Sequence, residues 1–183
     1  QPINAETHFW IGSVSKQFVG AAVVRLESQG KLSLSDPVAK YIPGWPEDAL
    51  RRDGVDCTIE FLLSHQCGIP SVWGRRYHRH HVDPAREAAF LDYLNGIDLE
   101  FTPGTDRSYS NEAFNLGGVM VSKVTGKPLE DYLRETFFEP FGMEATGVRT
   151  GNIAGYPERF APGHMASFIG PLRPDRWIGI PVD

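Results

Sequence analysis

Nothing in these 183 residues approaches a membrane-spanning apolar run, which would need about 20 consecutive apolar residues. Positive charge is scarce too. With 18 Lys and Arg against 23 Asp and Glu, the formal net charge is −5, which argues against a nucleic-acid surface. Internal repeats and low-complexity linkers are absent, and the length suits one ordinary domain with a sizeable core. Apolar and charged fractions of 41% and 22% are those of a soluble globular protein. The start, Gln1-Pro2, carries no signal-like segment, which says nothing about export.

Cysteine is limited to Cys57 and Cys67. The residues between them read as a short helix capped by Thr58, and such a helix would hold its ends about 10 Å apart, beyond disulfide reach. Two free thiols are therefore expected, and the redox compartment stays open. No metal-ligand spacing is present either. His78, His80 and His81 lie among Arg75, Arg76 and Arg79 without the i, i+4 pairing or distant ligand pairs of zinc sites. The stretch reads as a solvated loop at the rim of a cleft, and neither metal nor cofactor is expected.

What is present centres on Phe9 to Phe18. This stretch opens an apolar segment, Val19 to Leu26, with Gly30 as its C′ stop. Apolar on more than one face, the segment reads as a helix buried within a domain, with Phe9, Trp10 and Ile11 packing beneath it. Ser13 falls in its first turn and Lys16 three residues later, on one helical face. Burial favours the neutral amine, so Lys16 could take the proton that Ser13 must lose as a nucleophile. Ser28-Gln29-Gly30-Lys31 has the same spacing, but it straddles a helix end where nothing would bury the lysine.

Further along, Asp36-Pro37 reads as a cap and first position of a short helix to Tyr41. Asp83-Pro84 does the same for a helix that stops at Asn95-Gly96. Phe101 to Gly104 is a turn, and a helix follows from Glu112 to Val124, stopped by Gly126. Pro128 starts another, through Leu129, Tyr132, Leu133, Phe137 and Phe138, ended by Pro140 and Gly142. Beyond Thr150, recurrent Gly and Pro predict loops with short strands. The body is mostly helical, with no visible sheet of its own.

Tyr109-Ser110-Asn111 lies at the turn before the Glu112 helix. A phenol there could exchange protons with Ser13 if a charged Lys16 lowers its pKa, and Asn111 could both donate to and accept from a substrate amide. Tyr93-Leu94-Asn95 repeats the spacing at a helix C-terminus, where Tyr93 is expected to pack in the core.

Phe9 to Phe18, followed at a distance by Pro103-Gly104 and Tyr109-Ser110-Asn111, resembles the serine β-lactamase-like family. That family includes class C β-lactamases, D-Ala-D-Ala carboxypeptidases, D-aminopeptidases and β-lactamase-fold esterases. Three further stretches are similar to segments of it. They are Gly30-Lys31-Leu32-x-Leu34-x-Asp36-Pro37-Val38, Leu62-Leu63-Ser64-His65-x-x-Gly68-Ile69-Pro70, and Pro140-Phe141-Gly142-Met143-x-x-Thr146. The resemblance implies an enzyme, a serine hydrolase working through an acyl-enzyme on an amide, β-lactam or ester. Ser13 would be acylated, Lys16 and Tyr109 would move its proton, Asn111 would touch substrate, and the Ser13 N–H would supply half of an oxyanion hole. Which of Lys16 and Tyr109 is the base stays open, a question also disputed for the related class A enzymes.

The implied parent fold is α+β, a helical region with an antiparallel sheet flanked by helices. The family's third motif, Lys-Thr-Gly or His-x-Gly on a late strand, has no match here, since Lys123-Val124-Thr125-Gly126 has an extra residue and ends a helix. The expectation is thus a partial domain over 1–183, with the N-terminal strands and C-terminal sheet absent. Its expected partners are a small-molecule or peptide substrate, no nucleic acid, and self-association or a complementing chain. The resemblance alone points to a periplasmic or secreted protein. Two other readings are a penicillin-recognising or peptide-sensing protein acylated without turnover, and a non-catalytic helical module. The polar set of Ser13, Lys16, Tyr109 and Asn111 argues against the module, because packing would not require it.

Overall fold

A computed structural model describes residues 3–4, 7–9, 11–71 and 84–148. The stretch with His78, His80 and His81, read from sequence as a solvated loop, and everything beyond 148 lie outside the described residues. The chain divides into two compact units, one made of 1–15 with 134–183 and the other of Lys16–Leu133.

Helix α1 (Lys16–Ser28) begins the larger unit. Its Val19, Ala22, Val23 and Leu26 are buried, a spacing of i, i+3, i+4 and i+7 that makes one apolar stripe. Val24 on the opposite side is 54% exposed, so the helix is amphipathic rather than enclosed. Gly30 stops it as expected: its N–H donates to Glu27 O and the Lys31 N–H to Leu26 O, the paired bonds of a Schellman motif.

A 3₁₀ turn, Val38–Tyr41, follows Asp36-Pro37, but Asp36 does not cap it. The Asp36 carboxylate accepts instead from Lys40 Nζ and Tyr41 OH. A hairpin of two-residue strands, β1 (Arg51–Arg52) and β2 (Val55–Asp56), pairs Arg51 with Asp56 and Arg52 with Val55. Asp53 and Gly54 both take positive φ, as the tight hairpin turn requires.

Helix α2 is only Ile59–Leu63, capped by Thr58, whose side chain accepts from the Phe61 N–H. This corrects the expectation of free thiols. After one short helix the chain reverses at His65, at φ 63°, and Cys67 returns to Cys57 with Cα atoms 5.1 Å apart and a disulfide between them. The end-to-end length of a longer helix never enters. The stapled segment is bonded on both sides. Val38 N–H donates to Cys57 O and Glu60 N–H to Leu34 O, while Glu100 N–H donates to Gly68 O and Gly104 N–H to Gln66 O.

Helix α3 (Pro84–Asn95) starts at Pro84 and buries Phe90 and Leu94. Trp45 Nε1 donates to Leu91 O, and Lys123 pairs with Glu87 at 2.5 Å, tying α3 to helix α4 (Asn111–Thr125). Helix α4 is the centre of this unit, packing against α1, α2 and helix α5 (Leu129–Leu133). It buries Leu116, Val119, Met120 and Val121, each burial worth about 1.5–3 kcal/mol. Gly117 permits the close approach, since a Cβ there would lie 3.2 Å from Val19 Cγ1. Gly126, in left-handed conformation, ends α4 by donating to Ser122 O.

In the smaller unit a 3₁₀ turn, Gly12–Ser15, carries Ser13. Phe9 and Ile11 are 52% and 45% exposed, against the expectation that they pack beneath a helix; Trp10 lies outside the described residues. The helical pattern ending in Phe137 and Phe138 widens into a π turn, Arg134–Phe138, with Glu139 N–H donating to Arg134 O. Among the described residues, no helix is long and apolar enough to cross a membrane.

Candidate functional site

Packing of α1 on α4 brings the first residue of one helix to the first residue of the other. Lys16 Nζ donates to Asn111 Oδ1 at 2.7 Å, across 95 residues of sequence. Ser110 fixes the approach. In extended conformation, it accepts the Ala113 N–H on its Oγ and caps α4, which sets Tyr109 and Asn111 on either side of the cap. Tyr109 OH donates to the same Asn111 Oδ1 at 3.3 Å, and Lys16 Nζ lies 4.9 Å from the Tyr109 ring centroid and 5.7 Å from that of Phe114.

Asn111 Oδ1 therefore receives two donors, which is the full capacity of an amide oxygen. Lys16 is half-buried and Tyr109 is 42% exposed, so the trio opens to solvent rather than lying in a sealed core.

Larger unit and smaller unit divide the expected residues. Lys16, Tyr109 and Asn111 are brought together in the first. Ser13, exposed, is carried by the second on the turn that runs into α1, where Ser15 Oγ donates to Gly12 O. The lookalike motifs have other uses. Ser28 Oγ donates back to Arg25 O, Tyr93 is half-buried within α3, and Lys123 is the partner of Glu87.

His65 was singled out by sequence only as part of a family-like stretch, yet it stands directly behind this cluster. Buried at 7% exposure, it accepts the Ser110 N–H on Nδ1 at 3.2 Å. Its ring centroid is 4.6 Å from that of Tyr109 and 5.1 Å from that of Phe114. Burial, then the charges of Arg107 and Lys16, hold its pKa below the ordinary histidine value. A local signal did exist: a lone histidine between the end of a capped helix and a glycine, where the chain must turn.

A separate cleft of 440 Å³ lies between the hairpin and the end of α3, lined by Leu50, Arg51, Arg52, Asn95 and Leu99 among others. None of the site residues named above lines it. Among the described residues no cluster of three His, Cys, Asp or Glu is placed to hold a metal ion.

Comparison with known proteins identifies the family. The family described as "Beta-lactamase" matches residues 1–171. Esterase EstB of Burkholderia gladioli is 28% identical over 193 residues, covering 100% of this chain and 48% of that protein. A putative D-alanyl-D-alanine carboxypeptidase of Escherichia coli strain K12 is 31% identical over 160 residues, covering 80% of this chain and 35% of its own length. The crystal structure of a penicillin-binding protein from Bacillus halodurans gives a TM-score of 0.72 at 26% identity, covering 94% of this chain and 51% of the other. The chain thus spans about half or less of the relatives it matches. Its described residues hold a helix-rich part and a two-stranded sheet of the α+β β-lactamase/transpeptidase fold. It belongs to the beta-lactamase family, a family of serine hydrolases that includes esterases and carboxypeptidases.

Proposed function

We propose that the protein carrying this chain is a serine acyl-hydrolase in which Ser13 is the nucleophile. The observation that carries the reading is the meeting of Lys16, Tyr109 and Asn111 at the start of α4 from distant parts of the sequence. A packing role needs no such polar set. An amine and a phenol that share one amide oxygen form a proton-handling group of the kind an activated serine requires.

In this reading the pair reacts in the form where one member has lost its proton, Lys16 as the free amine or Tyr109 as the phenolate. Ser13 Oγ attacks the carbonyl carbon of an amide, β-lactam or ester, and that member takes the Ser13 proton. The Ser13 N–H donates to the developing oxyanion, and the Asn111 NH₂ donates to a substrate carbonyl. Collapse of the tetrahedral intermediate breaks the bond to the leaving amine or alcohol, which receives the proton back from the pair. Water then attacks the acyl-Ser13 ester by the same route, releasing the acid and restoring the serine. No metal or cofactor enters any step.

Labelling with a fluorophosphonate or a fluorescent penicillin tests the assignment. Attachment should be abolished by Ser13→Ala and retained by Ser28→Ala. Label that survives Ser13→Ala would remove Ser13 from the mechanism.

A further inference from the structure

We infer that His65 is a positioning residue for the proton-handling cluster: its Nδ1 accepts the Ser110 N–H and its ring backs Tyr109, holding the phenol beside Lys16 and Asn111. The inference rests on the proposed role of Tyr109 and adds the residue that sets its geometry.

Three bonds join the turn at 64–65 to the segment that carries Tyr109. Arg107 Nε donates to Ser64 O at 3.3 Å, Ser108 N–H to His65 O at 3.0 Å, and Ser110 N–H to His65 Nδ1 at 3.2 Å. Tyr109 lies between the last two, so both of its chain neighbours are held by one residue. The face of its ring is met by the same imidazole, 4.6 Å between centroids. A backbone N–H can only donate, so Nδ1 must keep its lone pair, and the ring hydrogen belongs on Nε2. A protonated imidazole would present N–H to N–H at Ser110 and open the strap. Burial and the nearby cations Lys16 and Arg107 work against that protonation.

The backbone explains which substitute would serve. His65 has φ 63°, in the left-handed region where asparagine is tolerated far better than most side chains. Asparagine also offers an Oδ1 one bond beyond Cγ, at the place of Nδ1. Glutamine carries its oxygen one carbon too far, and leucine has no acceptor. A misplacement of about 1 Å at a reacting group can cost about 10² in rate.

The test is acylation kinetics of His65→Leu, His65→Gln and His65→Asn in the protein that carries this chain, with fold checked by circular dichroism. His65→Leu and His65→Gln should lower the acylation rate about 10²-fold, with KM little changed, and His65→Asn should recover most of it. Placed on Tyr109→Phe, His65→Leu should add little, because it acts through Tyr109. An inactive-slow Tyr109→Phe enzyme with fully active His65→Leu would overturn the inference and leave the mechanism standing. A fully active Tyr109→Phe enzyme would instead remove Tyr109 from the mechanism and the inference with it. If the leucine variant does not fold, ¹⁵N shifts of His65 in the unaltered protein decide. An unprotonated Nδ1 with Nε2–H supports the strap, and a protonated Nδ1 overturns it.

Discussion

Lys16 and Lys40 stand in the same unit with similar surroundings. Lys16 Nζ is 4.9 Å from the ring centroid of Tyr109, and Lys40 Nζ is 5.4 Å from that of Tyr41. Each ammonium donates to a side-chain oxygen that its tyrosine also bonds, Asn111 Oδ1 in one case and Asp36 Oδ2 in the other. The acceptor makes the difference. Asp36 is a carboxylate whose pKa is held down by Lys40 first and Tyr41 second; in return it keeps Lys40 firmly protonated. Burial first, and then the bond to Asp36, raise the Tyr41 phenol above its ordinary value. Neither member of that pair is set up to give away a proton. Asn111 is an uncharged amide, and its oxygen binds the two donors without forming an ion pair. Similar residues thus make a clamp in one place and a candidate proton-transfer group in the other.

The comparison breaks most visibly in rate. Lys16→Ala and Tyr109→Phe should each slow acylation by about 10²–10⁴ with the fold retained, and the double variant should fall short of their product. Lys40→Ala and Tyr41→Phe should stay within about twofold of the unaltered protein, because neither residue bonds to Lys16, Tyr109 or Asn111. Single-turnover labelling with a fluorescent penicillin measures all four. A Lys40→Ala rate as low as that of Lys16→Ala would erase the distinction between the clusters.

A second way to sharpen it acts on the segment between them. The Cys57–Cys67 staple closes a loop with a sequence separation of 10, and chain entropy assigns such a loop about 2–3 kcal/mol. Replacing both cysteines by serine should lower unfolding stability by that amount in urea. Because the segment is bonded to 34–38 on one side and to 100–110 on the other, both clusters should loosen, but only the Tyr109 side should register in the acylation rate. An unchanged urea midpoint would show that the backbone bonds alone hold the turn.

The smallest effects are in pH. Asp36 has a lowered folded pKa, so its contribution is complete above the unfolded value near 3.9 and is lost as pH falls through the lower folded value. Asp36→Asn should therefore be slightly less stable than the unaltered protein at neutral pH, and the gap should close in strong acid. His65 also has a lowered folded pKa, with Lys16, Arg107 and Tyr109 as its charged or titratable neighbours. The unfolded chain then binds the extra proton, and stability should dip as pH drops below about 6.5. His65→Asn should remove that dip and leave the Asp36 one. Urea melts from neutral to strongly acid pH would separate the two, and a single unresolved slope in all three proteins would merge them.

What the sequence determined by itself was local. The stops at Gly30 and Gly126, the Thr58 cap, Pro84 at the first position of α3 and the turn at Gly104 follow from chemistry within a few residues of each signal. The motifs around Ser13 and Tyr109 were legible for the same reason, as was the family they resemble. Tertiary structure decided the rest. A stripe on α1 that reads as apolar on several faces is buried, among the described residues, on the one that packs against α4. The disulfide depends on a left-handed turn at His65, a conformation that histidine tolerates better than most residues but that no local signal specifies. The pairing of Lys16 with Asn111 spans 95 residues, and it exists because two helices pack closely at Gly117. His65 earns its position behind Tyr109 in the same way. Its environment is assembled from segments far apart in the chain, and side chains reveal such a role only once packing has brought them together.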